Sequence, residues 1–147
     1  MFTIGAFGVI LNEERKVLLC HRTDMDLWNL PGGRVEENES PWEAVIREIR
    51  EETGLNARII KLTGIYTKEN SNDIVFNFLC EKTGGELTLN DEADEIGYFS
   101  IDEIPVNTIP RQYERIKHVF NRKIFPVMMK QNGIPSKEYL KSLQRNK

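Results

Sequence analysis

Apolar residues recur at helical spacing in the segment between Ser40 and Gly54. Ser40 stands at the N-cap position, Pro41 at the first helical position and Glu43 at the third, which together form a capping box. Gly54 supplies a C-terminal stop. The apolar positions follow the i, i+3, i+4, i+7 spacing of one buried stripe, and they are Trp42, Val45, Ile46 and Ile49. The pattern therefore predicts a helix that starts at Pro41 and ends before Gly54.

Shorter apolar runs separated by polar turns predict β-strands on both sides of this helix. Residues 3–11 and 16–22, joined by a polar turn, are typical of a β-hairpin. After the helix, β-branched and aromatic residues are frequent in segments 57–67 and 74–82, and shorter runs cover 87–89 and 96–100. Strands outnumber helices and mostly follow one another directly. This order favours an α+β fold with a mixed sheet and a helix packed on it.

A second helical pattern begins at Pro110. Its apolar stripe consists of Tyr113, Ile116, Val119 and Phe120. Residues 136–144 predict a last short helix. The stripe can dock on the sheet or form a dimer surface, so a monomer and a homodimer both stay open.

Charge is distributed unevenly along a chain of ordinary composition. The 147 residues carry a net charge of −3, and 39% of them are hydrophobic, which indicates one globular domain. Residues 1–105 hold 10 Lys and Arg against 21 Asp and Glu, whereas residues 106–147 hold 10 against 2. The net charges are therefore −11 and +8. This asymmetry indicates an acidic working region and a basic appendage, which meets a partner or lies against the acidic half.

The cysteines and the longest apolar runs bear on the location of the protein. Cys20 and Cys80 each close an apolar run and lack metal-ligand spacing, so we interpret them as reduced core residues. Nowhere do 18 apolar residues run together, and the first residues lack the basic start of a signal peptide. We therefore expect a cytoplasmic protein without a membrane partner.

Three glutamates gather on one face of the predicted helix, since Glu48 precedes Glu51 and Glu52 by three and four positions. Like charges at this spacing cost about 0.2–0.5 kcal/mol. Anions near a helix C-terminus lose about another 0.3–1 kcal/mol each. A bound cation would offset these costs, and an all-oxygen site suits Mg²⁺ or Mn²⁺. A solvated acidic face is the alternative interpretation.

The three glutamates belong to a longer motif. From Gly33 the chain reads Gly33, five residues, Glu39, seven residues, and then REIREETGL over residues 47–55. Every fixed position of the Nudix box, G-x5-E-x7-R-E-U-x-E-E-x-G-U with U aliphatic, is matched. The sequence therefore resembles the Nudix hydrolase superfamily. The flanking stretches WNLPGG (28–33) and EIGYF (95–99) resemble segments of the same family.

The resemblance implies a fold and a division of the chain. It implies a Nudix-type mixed β-sheet sandwiched by helices (α/β/α), with a Nudix hydrolase domain over residues 1–105. Residues 106–147 would form a basic C-terminal helical extension packed on the same domain. We expect the whole chain to be a single domain with this extension.

The resemblance also implies the hydrolysis of a nucleoside diphosphate linked to another moiety X, with Mg²⁺ as cofactor and Mn²⁺ as a substitute. Glu48 and Glu52 correspond to the main metal ligands, and Glu51 to a direct or water-mediated third. Family members differ in the general base, so Glu51 and Glu95 are both candidates. For Glu95, a solvated loop position is the alternative.

Other residues of the motif are expected to support the site. Arg47, which completes the candidate catalytic set, resembles the partner of Glu39 in the family's internal ion pair. That pair would hold the loop against the helix, and Gly54 would support the end of the box. An exposed ion pair of little energetic value is the alternative interpretation.

The candidate substrate-binding residues are Arg22, Trp28, Gly32, Gly33 and Arg34. The two glycines allow the backbone to approach a metal or phosphate, and the two arginines can bind a phosphate bidentately. Trp28 can stack on a nucleobase, as can Phe7 or Tyr66, while a place in the core is the alternative for each of them.

Three functions follow from these expectations. The first is a Mg²⁺-dependent pyrophosphohydrolase acting on a small nucleotide, such as a modified nucleoside triphosphate or a nucleotide sugar. The second is a pyrophosphohydrolase of RNA 5′ ends that uses the basic tail, which we favour less. The third is a module that senses a nucleotide without cutting it, and the intact carboxylate set argues against it.

Overall fold

The computed structural model describes residues 1–145, in which eight strands and three α-helices follow one another. The strands are β1 (Thr3–Ile10), β2 (Val17–Arg22), β3 (Trp28–Asn29), β4 (Gly32–Arg34), β5 (Leu55–Lys68), β6 (Asp73–Gly85), β7 (Ala93–Phe99) and β8 (Val127–Gln131). The helices are α1 (Pro41–Thr53), α2 (Pro110–Asn121) and α3 (Ser136–Arg145), with a 3₁₀ turn at Ile101–Glu103. None of the helices in this part of the chain is long and apolar enough to cross a membrane.

The strands form two sheets. The larger has the order β4-β1-β6-β5-β8 and the smaller the order β3-β2-β7. Strand β1 runs parallel to β6, and β5 runs parallel to β8, whereas the other pairs are antiparallel. The predicted α+β fold with a mixed sheet is therefore confirmed.

The predicted hairpin between β1 and β2 is wrong beyond its turn. The turn forms, because the Asn12 N–H donates to the Lys16 carbonyl at 3.0 Å and Leu11 bridges to Val17. The two strands then diverge into different sheets, β1 between β4 and β6, and β2 between β3 and β7. The apolar residues of both strands run continuously, as is typical of strands that are buried on both faces. Each of the two strands is accordingly central in its own sheet.

The helices α1 and α2 cover opposite faces of the larger sheet. On one face Val45 and Ile49 of α1 pack with Ala6 and Ile10 of β1. On the other face Ile116 of α2 packs in a second core cluster with the following residues of the strands and loops: Val9, Val17, Leu19, Trp28 and Leu30. Alternate residues of β1 point to opposite faces, as the pleat of a strand requires. The sheet is thus sandwiched between helices.

Helix α1 begins and ends where the sequence predicts. The Ser40 hydroxyl accepts from the Glu43 N–H, the Glu43 carboxylate accepts from the Ser40 N–H, and Gly54 is the left-handed C-cap with φ 82°. The buried stripe differs from the prediction, because Trp42 is 60% exposed while Glu52 is buried. Periodicity gives the spacing of a stripe, but the neighbouring elements decide which turns of the helix are covered.

The last third of the chain contains the two predicted helices and a strand that the pattern did not indicate. Strand β8 pairs in parallel with β5, from Gly64 opposite Val127 to Lys68 opposite Gln131. The segment after residue 105 therefore extends the larger sheet as well as covering it. Residues 87–89, in contrast, are not a strand.

Candidate active site

The carboxylates of Glu48 and Glu52 lie side by side where α1 meets β4. The Gly32 N–H donates to Glu52 Oε2 at 2.9 Å, and Glu48 packs against the backbone of Gly33. A Cβ added at Gly33 would lie 2.7 Å from Glu48 Oε1. A larger residue at position 33 would therefore displace the carboxylate of Glu48.

Both carboxylates are held largely out of water. Burial raises the pKa of Glu52 to about 8, against the lowering effect of the Gly32 N–H, and the charge of Glu48 adds to the rise. Burial also raises the pKa of Glu48, while hydrogen bonding to Arg47 lowers it. Two adjoining buried acids repel each other when both are ionised. The pair is therefore suited to a bound cation.

Arg47 holds the box together. Its Nε and Nη2 donate to the two carboxylate oxygens of Glu39 at 2.7 and 2.9 Å, and its Nη1 donates to Glu48 at 3.0 Å. The hydrogen bonds from Arg47 lower the pKa of Glu39 to about 2. The fork also ties β4 to α1, because Nη2 donates to the Arg34 carbonyl at 3.2 Å. The geometry makes Arg47 a positioning residue for Glu48.

Glu51 does not join the other two glutamates. Its side chain is 58% exposed and accepts from Arg47 Nη1 at 3.1 Å, an ion pair at i, i+4 spacing. Within residues 1–145 no three Asp, Glu, His or Cys side chains are gathered tightly enough to hold a metal ion. The predicted convergence of three carboxylates is thus reduced to two, because the third pairs with the arginine one turn earlier.

A cavity of about 380 Å³ opens beside Glu52. We call it the acidic cavity, and its charged lining residues are Arg22, Asp24, Glu52, Asp91 and Glu92. Asn90 anchors the loop that carries the last two, because its amide donates to the Glu52 carbonyl and accepts from the Glu92 N–H at 2.8 Å. The C-terminal end of α1 thereby faces two further carboxylates that the motif does not include.

These observations can be set against known proteins. A family model described as the NUDIX domain matches residues 1–121. The chain belongs to the Nudix hydrolase family. It is 38% identical over 122 residues to a Bacillus subtilis (strain 168) protein provisionally named an 8-oxo-dGTP diphosphatase, covering 82% of each chain.

Other relatives of this Nudix hydrolase carry different names. The chain is 36% identical over 103 residues to an ADP-ribose pyrophosphatase of Methanocaldococcus jannaschii, covering 65% of this chain and 61% of that protein. A crystal structure of a UDP-X diphosphatase is similar with a TM-score of 0.75 and 26% identity, covering 87% of this chain and 67% of the other. Members of the family generally use divalent metals such as Mg²⁺.

The Nudix box of this chain fits a divalent cation. Carboxylate oxygens are the ligands that Mg²⁺ and Mn²⁺ prefer, and Glu48 and Glu52 present two of them side by side. Arg47 donates to Glu48 and the Gly32 N–H donates to Glu52, so each carboxylate is oriented by its own donor. The donor set therefore suits the metals that this family uses.

Glu95 lies away from the acidic cavity of the Nudix site. It sits on β7 opposite His21, and its exposed side chain lines a separate groove with residues 87–89. Besides Glu48, the carboxylate whose charge raises the pKa of Glu52 belongs to Glu92. Asn90 fastens the turn before β7 to α1. Glu95 does not line the acidic cavity, and its role as a general base stays a prediction.

The predicted substrate-binding residues divide into two groups in this Nudix hydrolase. Arg22 lines the acidic cavity, where it pairs with Asp24 at 2.6 Å. Trp28 is buried, with its ring edge-on to His21 and Phe99, because β3 carries it into the core. Its expected stacking on a base is therefore wrong, and the alternative of a core position is confirmed.

Gly33 and Arg34 line a second cavity, of about 270 Å³. We call it the arginine cavity, and the lining residues that matter here are Phe7, Gly33, Arg34, Tyr66, Gln112 and Arg115. Two of its aromatic residues, Phe7 and Tyr66, are stacking candidates from the sequence, whereas Gln112 and Arg115 were not predicted as site residues. The sequence does contain an indication of their position, because each residue lies one helical turn before a residue of the apolar stripe of α2.

Proposed function

We propose that this chain is a Mg²⁺-dependent pyrophosphohydrolase that cleaves a small nucleoside diphosphate derivative by attack of water on phosphorus. The observation that carries the proposal is the adjoining pair Glu48 and Glu52, oriented by Arg47 and Gly32, with Glu52 lining the acidic cavity. The acidic cavity is rich in carboxylates, and the second cavity, the arginine cavity, is lined by aromatic and donor groups. We assign the metal-bound diphosphate to the first cavity and the nucleoside to the second.

In the proposed reaction a bond forms between the water oxygen and phosphorus, and the bond from phosphorus to the bridging oxygen breaks. The metal, when bound, neutralises developing charge and positions the diphosphate. Glu48 and Glu52 hold it, and Glu51 contributes directly or through water. We propose Glu92 as the general base, because it lines the same cavity as Glu52. The displaced phosphate oxygen takes up a proton from solvent.

The substrate class is supported by what the relatives' names share. The Bacillus subtilis protein is named for 8-oxo-dGTP, the Methanocaldococcus jannaschii protein for ADP-ribose and the solved structure for UDP-X. Each of these is a nucleoside diphosphate derivative, whereas the moiety beyond the diphosphate differs. We therefore propose a small nucleotide, either a modified nucleoside triphosphate or a nucleotide sugar.

The test is a substrate panel with Mg²⁺ or Mn²⁺, comparing wild type with Glu52→Gln. The panel contains nucleoside triphosphates, 8-oxo-dGTP, ADP-ribose, UDP-sugars and 5′-triphosphate RNA, and the products are identified by chromatography. We expect nucleotide release that Glu52→Gln lowers by about 10³-fold, since the loss of a metal ligand removes several kcal/mol of transition-state stabilisation.

The matched control is Glu37→Gln, an exposed glutamate in the loop before α1. It should leave turnover unchanged. No release from any compound would overturn hydrolysis in favour of sensing, and release from RNA alone would replace the small nucleotide by an RNA end.

We also propose a cytoplasmic location, supported by the free and buried thiols of Cys20 and Cys80. Burial raises the pKa of each thiol to about 12, so neither is poised to react. A fusion to a fluorescent protein tests the location, and light scattering decides between the monomer and the homodimer.

A further inference from the structure

Arg115 is a buried cation with few partners. The residue is only 6% exposed, and its Nε donates to Gln131 Oε1 at 3.0 Å. Within residues 1–145 no carboxylate lies within 4.0 Å of its guanidinium, and no hydrogen bond of its two terminal nitrogens is formed. A guanidinium carries five N–H donors, so most of them are free to meet a ligand.

The orientation of Arg115 is set from β8. Gln131 is itself buried, and its amide nitrogen donates to the Arg111 carbonyl and to Glu114, each at 2.9 Å. That amide therefore cannot turn over without losing both bonds, and its oxygen stays directed at Arg115. The terminal nitrogens are thereby pre-positioned, which lowers the entropic cost of binding.

The guanidinium lies among the aromatic residues of the arginine cavity. Its carbon is 5.3 Å from the ring centroid of Tyr66 and 5.7 Å from that of Phe7. Gln112 adds another donor, because its oxygen already accepts from the Leu30 N–H at 2.6 Å and its amide N–H₂ remains. The cavity thus combines flat apolar walls with hydrogen-bond donors, which suits a planar group that presents acceptors.

We propose that Arg115 is a specificity-determining residue that donates to the C6 carbonyl oxygen of a purine base, so that the enzyme prefers 6-oxo purines to adenine. The inference rests on the proposed function, which supplies the nucleotide. A guanidinium can only donate, and guanine presents O6 and N7 as acceptors. Adenine carries an amino group at C6 that would point its own hydrogens at Arg115.

The experiment is calorimetric binding of nucleoside 5′-monophosphates to the full chain without metal, so that no hydrolysis occurs. The probes are GMP, IMP, 8-oxo-GMP and AMP. IMP keeps the C6 oxygen without the 2-amino group, and 8-oxo-GMP keeps it with a donor at N7. We expect GMP and IMP to bind about 10- to 100-fold more tightly than AMP, the range for hydrogen bonds to a charged group.

The variants distinguish recognition of the nucleobase by Arg115 from its other roles. Arg115→Met should abolish the preference for GMP over AMP, and Arg115→Lys should weaken it, because lysine lacks the planar fork. Gln131→Met should reduce the preference through loss of positioning. Arg122→Met, an exposed arginine beyond the end of α2, is the matched control and should keep it.

The ratio of GMP to AMP affinity is the readout, so a variant that only weakens the fold lowers both affinities together. Equal binding of GMP and AMP by wild type, or no binding of either, would overturn the proposal. So would an equal loss of affinity for all four probes in Arg115→Met and Arg115→Lys, which would assign the arginine to the phosphate.

The comparison of 8-oxo-GMP with GMP shows which 6-oxo purine is preferred. Because binding is measured without turnover, it can fail while hydrolysis stands, and the reverse also holds.

Discussion

The two cavities have opposite electrostatic character. The acidic cavity gathers Glu52, Asp91 and Glu92 around the end of α1, with Arg22 already paired to Asp24. The arginine cavity contains a buried guanidinium that no carboxylate contacts within the described residues. An excess of carboxylates favours a cation, whereas a buried guanidinium favours acceptor groups. The two cavities therefore suit different kinds of ligand group.

This difference bears on the charge asymmetry of the chain. The acidic residues of the first 105 positions include the metal-binding candidates on α1, while a basic residue of the last 42 lies inside the protein as Arg115. The basic segment is therefore more than an arm in solvent. It supplies one wall of a cavity whose other wall is the sheet.

The largest expected effect is a loss of turnover after substitution in the acidic cavity. It decides which of two carboxylates is the general base. Glu92→Gln should lower turnover by about 10²- to 10⁴-fold, the usual contribution of a general base. Glu95→Gln should change it less than about twofold, because that residue is an exposed position with no contact to the site. Steady-state kinetics with Mg²⁺ measures both, and a larger loss for Glu95→Gln would reverse the assignment.

The next effect is on the packing of α2, the helix that carries Arg115. Ile116 of α2 is fully buried in the second core cluster. Ile116→Ala should lower the free energy of unfolding by about 2–5 kcal/mol, the cost of a cavity in a core. Urea denaturation measures the change. Met128→Ala is the control, since Met128 is 78% exposed on β8, and comparable losses for both would show that α2 is not docked in the core.

A third substitution acts on β4, where Gly33 contacts Glu48. Gly33→Ala places a methyl group against the Glu48 carboxylate, so turnover should fall by about 10²-fold through misplacement of a metal ligand. Gly84→Ala is the matched control, because its Cβ would meet nothing closer than 3.8 Å. Metal titration followed by kinetics separates a weakened metal site from a general loss of stability, and unchanged metal affinity would refute the explanation.

The smallest effect concerns His21 on β2, outside both cavities. Burial lowers the pKa of His21, but hydrogen bonds to Asp26 and Asp94 outweigh it, so the net pKa lies above its ordinary value of 6.5. The protonated imidazole thus stabilises the folded state fully below pH 6.5, and this contribution is lost as the pH rises through the raised pKa.

His21→Gln should therefore destabilise the protein more at pH 6 than at pH 8.5. Denaturation at the two pH values measures the difference between wild type and variant. Asp94→Asn should also destabilise the protein more at pH 6 than at pH 8.5, by a smaller amount. If His21→Gln lowers the stability equally at both pH values, the imidazole acts only through packing.

The sequence predicts helix α1 and its caps well. The cap residues Ser40 and Glu43, the stop at Gly54 and the spacing of the glutamates all act within a few residues of one another. Short-range hydrogen bonds and helical geometry are sufficient to determine such features. The pairing of Arg47 with Glu39 is likewise carried by the motif and confirmed by the structure.

Contacts between residues far apart in the sequence could not be predicted from local patterns. The Leu30 N–H bonds to Gln112, and Tyr66 bonds to His118, across more than 50 residues of chain. No local pattern indicates that β1 and β2 separate into different sheets, that Trp28 enters the core, or that β8 joins β5.

The amino-acid sequence by itself thus determined the family, the capped helix and the glutamates that it carries, because these depend on spacing along one element. Only the tertiary structure decided that Glu51 turns to Arg47, that Glu92 and not Glu95 faces Glu52, and that Arg115 lies in a cavity. Those outcomes depend on which distant segments pack together, and on which charged groups that packing shields from water.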